Sequence, residues 1–122
     1  MMENMAEIFG DLSRFHRLEE DEPALYEEVM ETLESVIDPE LGIDIVNLGL
    51  IYDLFWDREG HLLVNMTLTT MGCPLQDIIL DEVNRALAPL EAIKATNVRL
   101  VWVPAWSTKR LSRYARIALG IR

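Results

Sequence analysis

Residues 48–68 read LGLIYDLFWDREGHLLVNMTL, and the fold is decided here. Leu48, Leu50, Tyr52, Leu54 and Trp56 recur at every second position, which puts them on one face of a β-strand. Asp57-Arg58-Glu59-Gly60 reads as a hairpin loop. In the strand that follows, Leu62, Val64, Met66 and Leu68 point one way, and the more polar set Leu63, Asn65, Thr67 and Thr69 points the other. A strand pair with one apolar face needs a covering layer.

The flanking segments supply it. After Pro23, Leu25, Val29, Leu33, Val36 and Ile37 fall at helical spacing with acids on the opposite face. Pro39 ends that helix, because the residue before a proline disfavours helical backbone. Pro74 is expected to open a second helix with a buried stripe of Leu75, Ile78, Ile79, Val83, Ala86 and Leu87. Val98, Leu100 and Trp102 alternate with Arg99, Val101 and Val103 in a third strand. Ser107 is the expected N-cap of a last helix carrying Leu111, Tyr114, Ala115, Ala118 and Leu119, ended by Gly120. The order α-β-β-α-β-α implies class α+β: a small two-layer domain with a mixed three-stranded sheet covered by helices. Its strand–helix–strand piece is long enough for a parallel crossover.

The chain has 122 residues, half of them hydrophobic, which suits one globular domain. No apolar run approaches a membrane span, and nothing at the N-terminus reads as a secretory signal. The net charge of −10 is unevenly placed. Residues 1–40 hold 13 acids against Arg14 and Arg17; residues 41–122 hold 8 acids and 9 bases. Such a balance speaks against nucleic acid as a partner. The run Glu19-Glu20-Asp21-Glu22 marks residues 1–22 as an acidic extension, expected to be mobile, with the ordered domain over residues 23–122. A single cysteine, Cys73, excludes an internal disulfide and makes a reducing cytoplasm the expected compartment.

The densest chemical signal is Thr67-Leu68-Thr69-Thr70-Met71-Gly72-Cys73-Pro74. Gly72 permits a sharp turn and Pro74 suits the first helical position, so Cys73 is expected near a helix N-terminus. Free N–H groups there favour a thiolate. Thr69 and Thr70 could donate to the sulfur or cap the helix. The competing reading is a small, half-buried, inert residue in a tight turn. A cysteine hydrolase would need a general base close by, but His16 lies in the acidic head and His61 at the far end of the second strand. The loop Asp38-Pro39-Glu40-Leu41-Gly42-Ile43-Asp44 offers oxygen ligands for a hard cation, with turn-forming as the competing role. Trp106, beside Pro104, is either core or a partner contact. The stripe Lys109, Arg110, Arg113 and Arg116 is either an anion-binding surface or a solvated face. There is no P-loop, no Cys-x-x-Cys and no dinucleotide fingerprint, so no nucleotide is expected.

Asp38-Pro39-Glu40-Leu41-Gly42, Ile45-Val46-Asn47-Leu48-Gly49-Leu50-Ile51-Tyr52, Met66-Thr67-Leu68-Thr69 with Gly72-Cys73-Pro74, and the tail Val101 to Ser107 with Arg116 and Leu119-Gly120-Ile121 together resemble the SufT/PaaD-like family of iron–sulfur cluster assembly factors. The resemblance implies a compact α/β domain, not an enzyme, with Cys73 as its functional thiol. It also implies supporting roles for Asp38, Glu40, Thr67 and Thr69. Met71, Val103 and Ala105 depart from the family pattern, which often has proline, an acid and a second proline there. Absence of the extra C-terminal cysteines of the PaaD branch favours the stand-alone SufT-like branch. One thiolate cannot complete the four-sulfur coordination a cluster usually needs. Any cluster is therefore expected to be transient and shared, either across a homodimer or with a scaffold, carrier or client apoprotein. A pure adaptor, docking clients through Trp106, the basic helix or the acidic head, is the alternative.

Overall fold

The computed structural model describes residues 5–70 and 74–121. The hairpin at its centre forms, but its first strand is shorter than the alternation predicts: it begins at Ile51, Leu48 and Leu50 lie before it, and Tyr52 is only half-buried. Strands β2 (Ile51–Trp56) and β3 (His61–Met66) pair antiparallel, with a register irregularity between Ile51 and Asp53. Leu48, Leu50, Leu54, Trp56, Leu62, Val64, Met66 and Leu68 are all buried in one apolar cluster. Strand β4 (Ala95–Leu100) lies parallel to β3, so the crossover exists as expected.

Two helices cover this face. Helix α3 (Pro23–Leu33) contributes Leu25, Val29 and Leu33 to the core, and α4 (Gln76–Leu87) contributes Ile79, Val83 and Leu87. Burial of each such side chain is worth about 1.5–3 kcal/mol. The last helix, α5 (Arg113–Leu119), buries Ala115 and ends at Gly120, whose φ of 71° is left-handed. No helix among the described residues is long and apolar enough to cross a membrane.

The α+β class holds, but several details differ from the sequence expectation. The sheet has four strands, not three, in the order β1-β2-β3-β4. The additional β1 is His16–Arg17, paired with Trp56 and Phe55 of β2; two residues are too few to show any periodicity. Around it, residues expected to precede the first ordered element form α1 (Met5–Gly10) and α2 (Leu18–Asp21), with Leu18 fully buried. Ile8 and Phe9 pack on Leu63, alongside Phe15 and Phe55, and so cover part of the sheet's other face.

The other differences are helical: α3 ends at Leu33 rather than at Pro39, so Val36 and Ile37 lie beyond it, and Ile37 is 44% exposed and bridges to Asp44. Ile78 is 51% exposed rather than buried, because it lies about 100° around the helix from Ile79, which heads the buried row. Helix α4 begins at Gln76, two residues beyond Pro74. Ser107 caps a 3₁₀ turn, Thr108–Arg110, and Ser112 caps α5 by accepting from the Ala115 N–H at 3.1 Å.

Candidate functional site

Cys73 and Gly72, the centre of the sequence-derived site, lie outside the described residues. Their flanks are described. Thr67, directly after β3, is fully buried, and its N–H donates to the Leu50 carbonyl at 2.8 Å. Its Oγ1 is shielded from water and has no hydrogen-bond partner among the described residues. Thr69 is half-buried, and Thr70 and Pro74 are exposed.

The acidic loop after α3 is a structural device. Asp38 is buried, and its Oδ1 accepts from the N–H groups of Glu40 at 2.8 Å and Leu41 at 3.2 Å. Buried Asp44 accepts from the backbone and the side-chain amide of Asn47, at 2.9 and 2.7 Å. Glu40 is exposed. These carboxylates face inward to their own turns, which is the turn-forming role rather than a cation cage.

The C-terminal loop sits on that same segment. The Trp106 indole N–H donates to Leu48 O at 2.7 Å, and the half-buried ring packs against the core. Arg110 Nε donates to Gly49 O at 2.7 Å, and its guanidinium lies 4.1 Å from the centre of the Tyr52 ring, a cation–π distance. The Tyr52 hydroxyl donates to Pro104 O at 2.7 Å. Ser112 donates to Asn47 twice, from its N–H to the backbone O and from its hydroxyl to Oδ1. Two motifs about 60 residues apart thus form one interlocked unit. Lys109 and Arg113 remain exposed and Arg116 is half-buried. On the same helix Tyr114 and Ile117 are exposed, and Val103 in the preceding loop is 87% exposed.

Sequence reasoning missed two polar arrangements. At the tip of the β2–β3 hairpin, the Asp57 side chain is fully buried and binds the His61 ring. Burial alone would raise the Asp57 pKa, but hydrogen bonds from the His61 ring and from the Glu59 and His61 N–H groups hold it below the usual carboxylate value. At the edge of the sheet, Asp21 accepts from the Trp56 indole and from Arg58, which lowers its pKa to about 2. The Asp57-Arg58-Glu59-Gly60 string was the available signal for the first; nothing local signals the second.

The geometry defines a small α+β domain in which the segment 47–49 and the C-terminal loop interlock, with the exit of β3 at Thr67 bonded to Leu50 beside them. A family model described as iron–sulfur cluster assembly protein matches residues 26–100. The chain belongs to that family, in its SufT-like group, as the motifs in the sequence imply. It is 57% identical over 101 residues to the Fe-S protein maturation auxiliary factor YitW of Bacillus subtilis, covering 83% of this chain and 99% of that protein. It is 56% identical over 86 residues to the Fe-S protein maturation auxiliary factor SufT of Staphylococcus aureus, covering 70% and 98%. A crystal structure of a domain of unknown function, DUF59, from Bacillus anthracis matches with a TM-score of 0.77 and 44% identity, over 82% of this chain and 95% of that one.

Proposed function

We propose that this chain is a maturation factor for iron–sulfur proteins, without turnover of its own, that presents Cys73 to a cluster shared with a second protein. The observation that carries the reading is the 57% identity to a maturation auxiliary factor matched over nearly its whole length. The chemistry is consistent with it. The chain holds one cysteine, and a cluster commonly takes four thiolates, so the other ligands belong to a carrier, a client or a second copy of the chain. Cargo held by so few bonds can leave again, as delivery requires. Thr67, six residues before Cys73, holds a buried hydroxyl with no partner among the described residues, and a hydroxyl can donate to a sulfur. A single thiol also suits a reducing cytoplasm.

Anaerobic reconstitution with iron and sulfide tests this, with wild type and Cys73→Ala side by side and a carrier protein added in a parallel series. Visible absorption bands in wild type, lost in Cys73→Ala, are expected. Light scattering on the same samples distinguishes sharing across a homodimer from sharing with the carrier. No bands in wild type, even with carrier, would sink the thiol-ligand reading.

A second reading, an adaptor that docks clients without holding a cluster, is favoured by one feature. Tyr114 and Ile117 form an exposed apolar pair on α5, the helix that also carries the exposed cation Arg113, a composition common at interfaces. In that case Cys73→Ala keeps client binding, and Tyr114→Ser with Arg113→Glu loses it. Trp106 is less suited as a probe, because its substitution also disturbs the core.

A further inference from the structure

We propose that the sheet's outer face holds a binding site for a free apolar α-amino acid. Strands β2, β3 and β4 place Asp53, Asn65 and Arg99 side by side, since Asp53 pairs with Asn65 and Asn65 with Arg99. Paired residues share a face, so a carboxylate, an amide and a guanidinium stand in one row across two strand spacings, about 10 Å. The next row toward the hairpin pairs Phe55 with Leu63. Leu12 and Phe15, from the segment before β1, close the other side. Together these seven residues line a cavity of about 280 Å³, close to the small end of ligand sites.

Two of its polar groups have no partner among the described residues. Asn65 Oδ1 is shielded from solvent and accepts no hydrogen bond, an arrangement that buried polar atoms rarely keep. Arg99 makes neither a hydrogen bond nor an ion pair there. Asp53 is engaged through Oδ1 by Arg17 at 3.3 Å, which leaves its second oxygen free to accept.

An α-amino acid meets all three groups at once. Its carboxylate takes the guanidinium fork of Arg99, its ammonium donates to the free oxygen of Asp53 and, once the Asn65 amide turns its shielded Oδ1 towards the cavity, to Asn65, and its side chain lies against Phe15, Phe55 and Leu63. A simple carboxylic acid leaves Asn65 and Asp53 unmet, an amine leaves Arg99 unmet, and an acylated amino acid or a peptide terminus lacks one of the two charges. The cavity admits a side chain of leucine or phenylalanine size.

Calorimetric titration of the full chain with L-leucine and L-phenylalanine tests the site, with 3-phenylpropionate, phenethylamine and N-acetyl-phenylalanine as partial probes. One-to-one binding of at least one amino acid is expected, with each partial probe about tenfold weaker or worse, the loss of one charge-assisted hydrogen bond. Arg99→Ala, at an exposed position without an internal partner among the described residues, should weaken binding by a similar factor. Its fold is checked by circular dichroism. No saturable binding at millimolar amino acid, binding of 3-phenylpropionate as tight as phenylalanine, or an Arg99→Ala variant that binds like wild type would each overturn the proposal. Cluster chemistry at Cys73 does not enter any of these readouts.

Discussion

Gly49→Ala asks whether a close backbone approach holds the C-terminal loop in place. Gly49 has a φ of +73°, and a Cβ there would overlap the Arg110 carbonyl oxygen and lie 2.7 Å from Arg110 Cβ and 2.9 Å from its carbonyl carbon. Gly42 supplies the control: its φ is +70°, yet among the described residues nothing lies within 4 Å of the equivalent Cβ. Left-handed backbone costs an alanine about 1–2 kcal/mol at either position. At Gly49 the atoms met are mostly backbone, which cannot swing aside, so the 108–110 turn must withdraw. The Arg110 Nε bond to Gly49 O is lost with it, and a hydrogen bond from a charged group is worth about 1.5–3 kcal/mol.

The expected destabilisation is therefore about 1–2 kcal/mol for Gly42→Ala and about 3–5 kcal/mol for Gly49→Ala. Urea unfolding reads the difference: with a slope of about 1–3 kcal/mol/M, the two midpoints should separate by about 1–2 M. The Trp106 indole proton gives a local readout in NMR spectra, because it donates to Leu48 O in the docked state. If both variants lose the same stability and the indole signal stays put, the close approach does not hold the loop.

Other consequences are quicker to check. Ser112→Ala should cost about 1 kcal/mol as a lost N-cap; a double-mutant cycle with Asn47→Ala should show coupling rather than additivity, since the two side chains bond each other. The Asp21 carboxyl, held at about 2 against an ordinary 3.8 by Arg58 and Trp56, contributes stability that is complete above its unfolded value. That contribution should fade as pH falls from about 4 towards about 2, and Asp21→Asn should flatten that limb of an acid-unfolding curve.

The hairpin, the parallel crossover and both core helices were legible because each repeats its period several times: two residues for Leu48 to Leu68, three to four for Leu25 to Leu33 and Ile79 to Leu87. Strand β1 was not, since His16–Arg17 has no repeat to read and its partner lies some 40 residues away. Ile78 misled because it neighbours Ile79 in sequence while lying on another side of the helix. Of the candidate site, the motif residues were visible as strings, but their assembly was not. Trp106 and Leu48 are 58 residues apart, and Asn47 and Ser112 are 65 apart; no local pattern encodes such a contact. One signal was present and went unused: Gly49 interrupts an otherwise apolar strand pattern, a common mark of another backbone passing close by. The row Asp53–Asn65–Arg99 needed two pairing registers, and a register is set by the packed faces rather than by one strand alone.

The interlocked loops bear on the cysteine through the backbone. Trp106, Arg110 and Ser112 bind Leu48, Gly49 and Asn47; the next residue, Leu50, accepts the N–H of Thr67, where the chain leaves β3 six residues before Cys73. The C-terminal loop therefore holds the acceptor that fixes the strand exit. Trp106→Phe keeps most of the buried ring but leaves Leu48 O without its donor, at a cost of about 1–3 kcal/mol. Much of that loss should appear locally, since segments open in cooperative units rather than uniformly. Amide exchange at Thr67 should then accelerate more than at Val64, which sits in the middle of β3 with Leu54 on one side and Val98 on the other. Equal acceleration at both amides would mean that the variant lowers global stability alone, and that the loop does not govern the approach to the thiol.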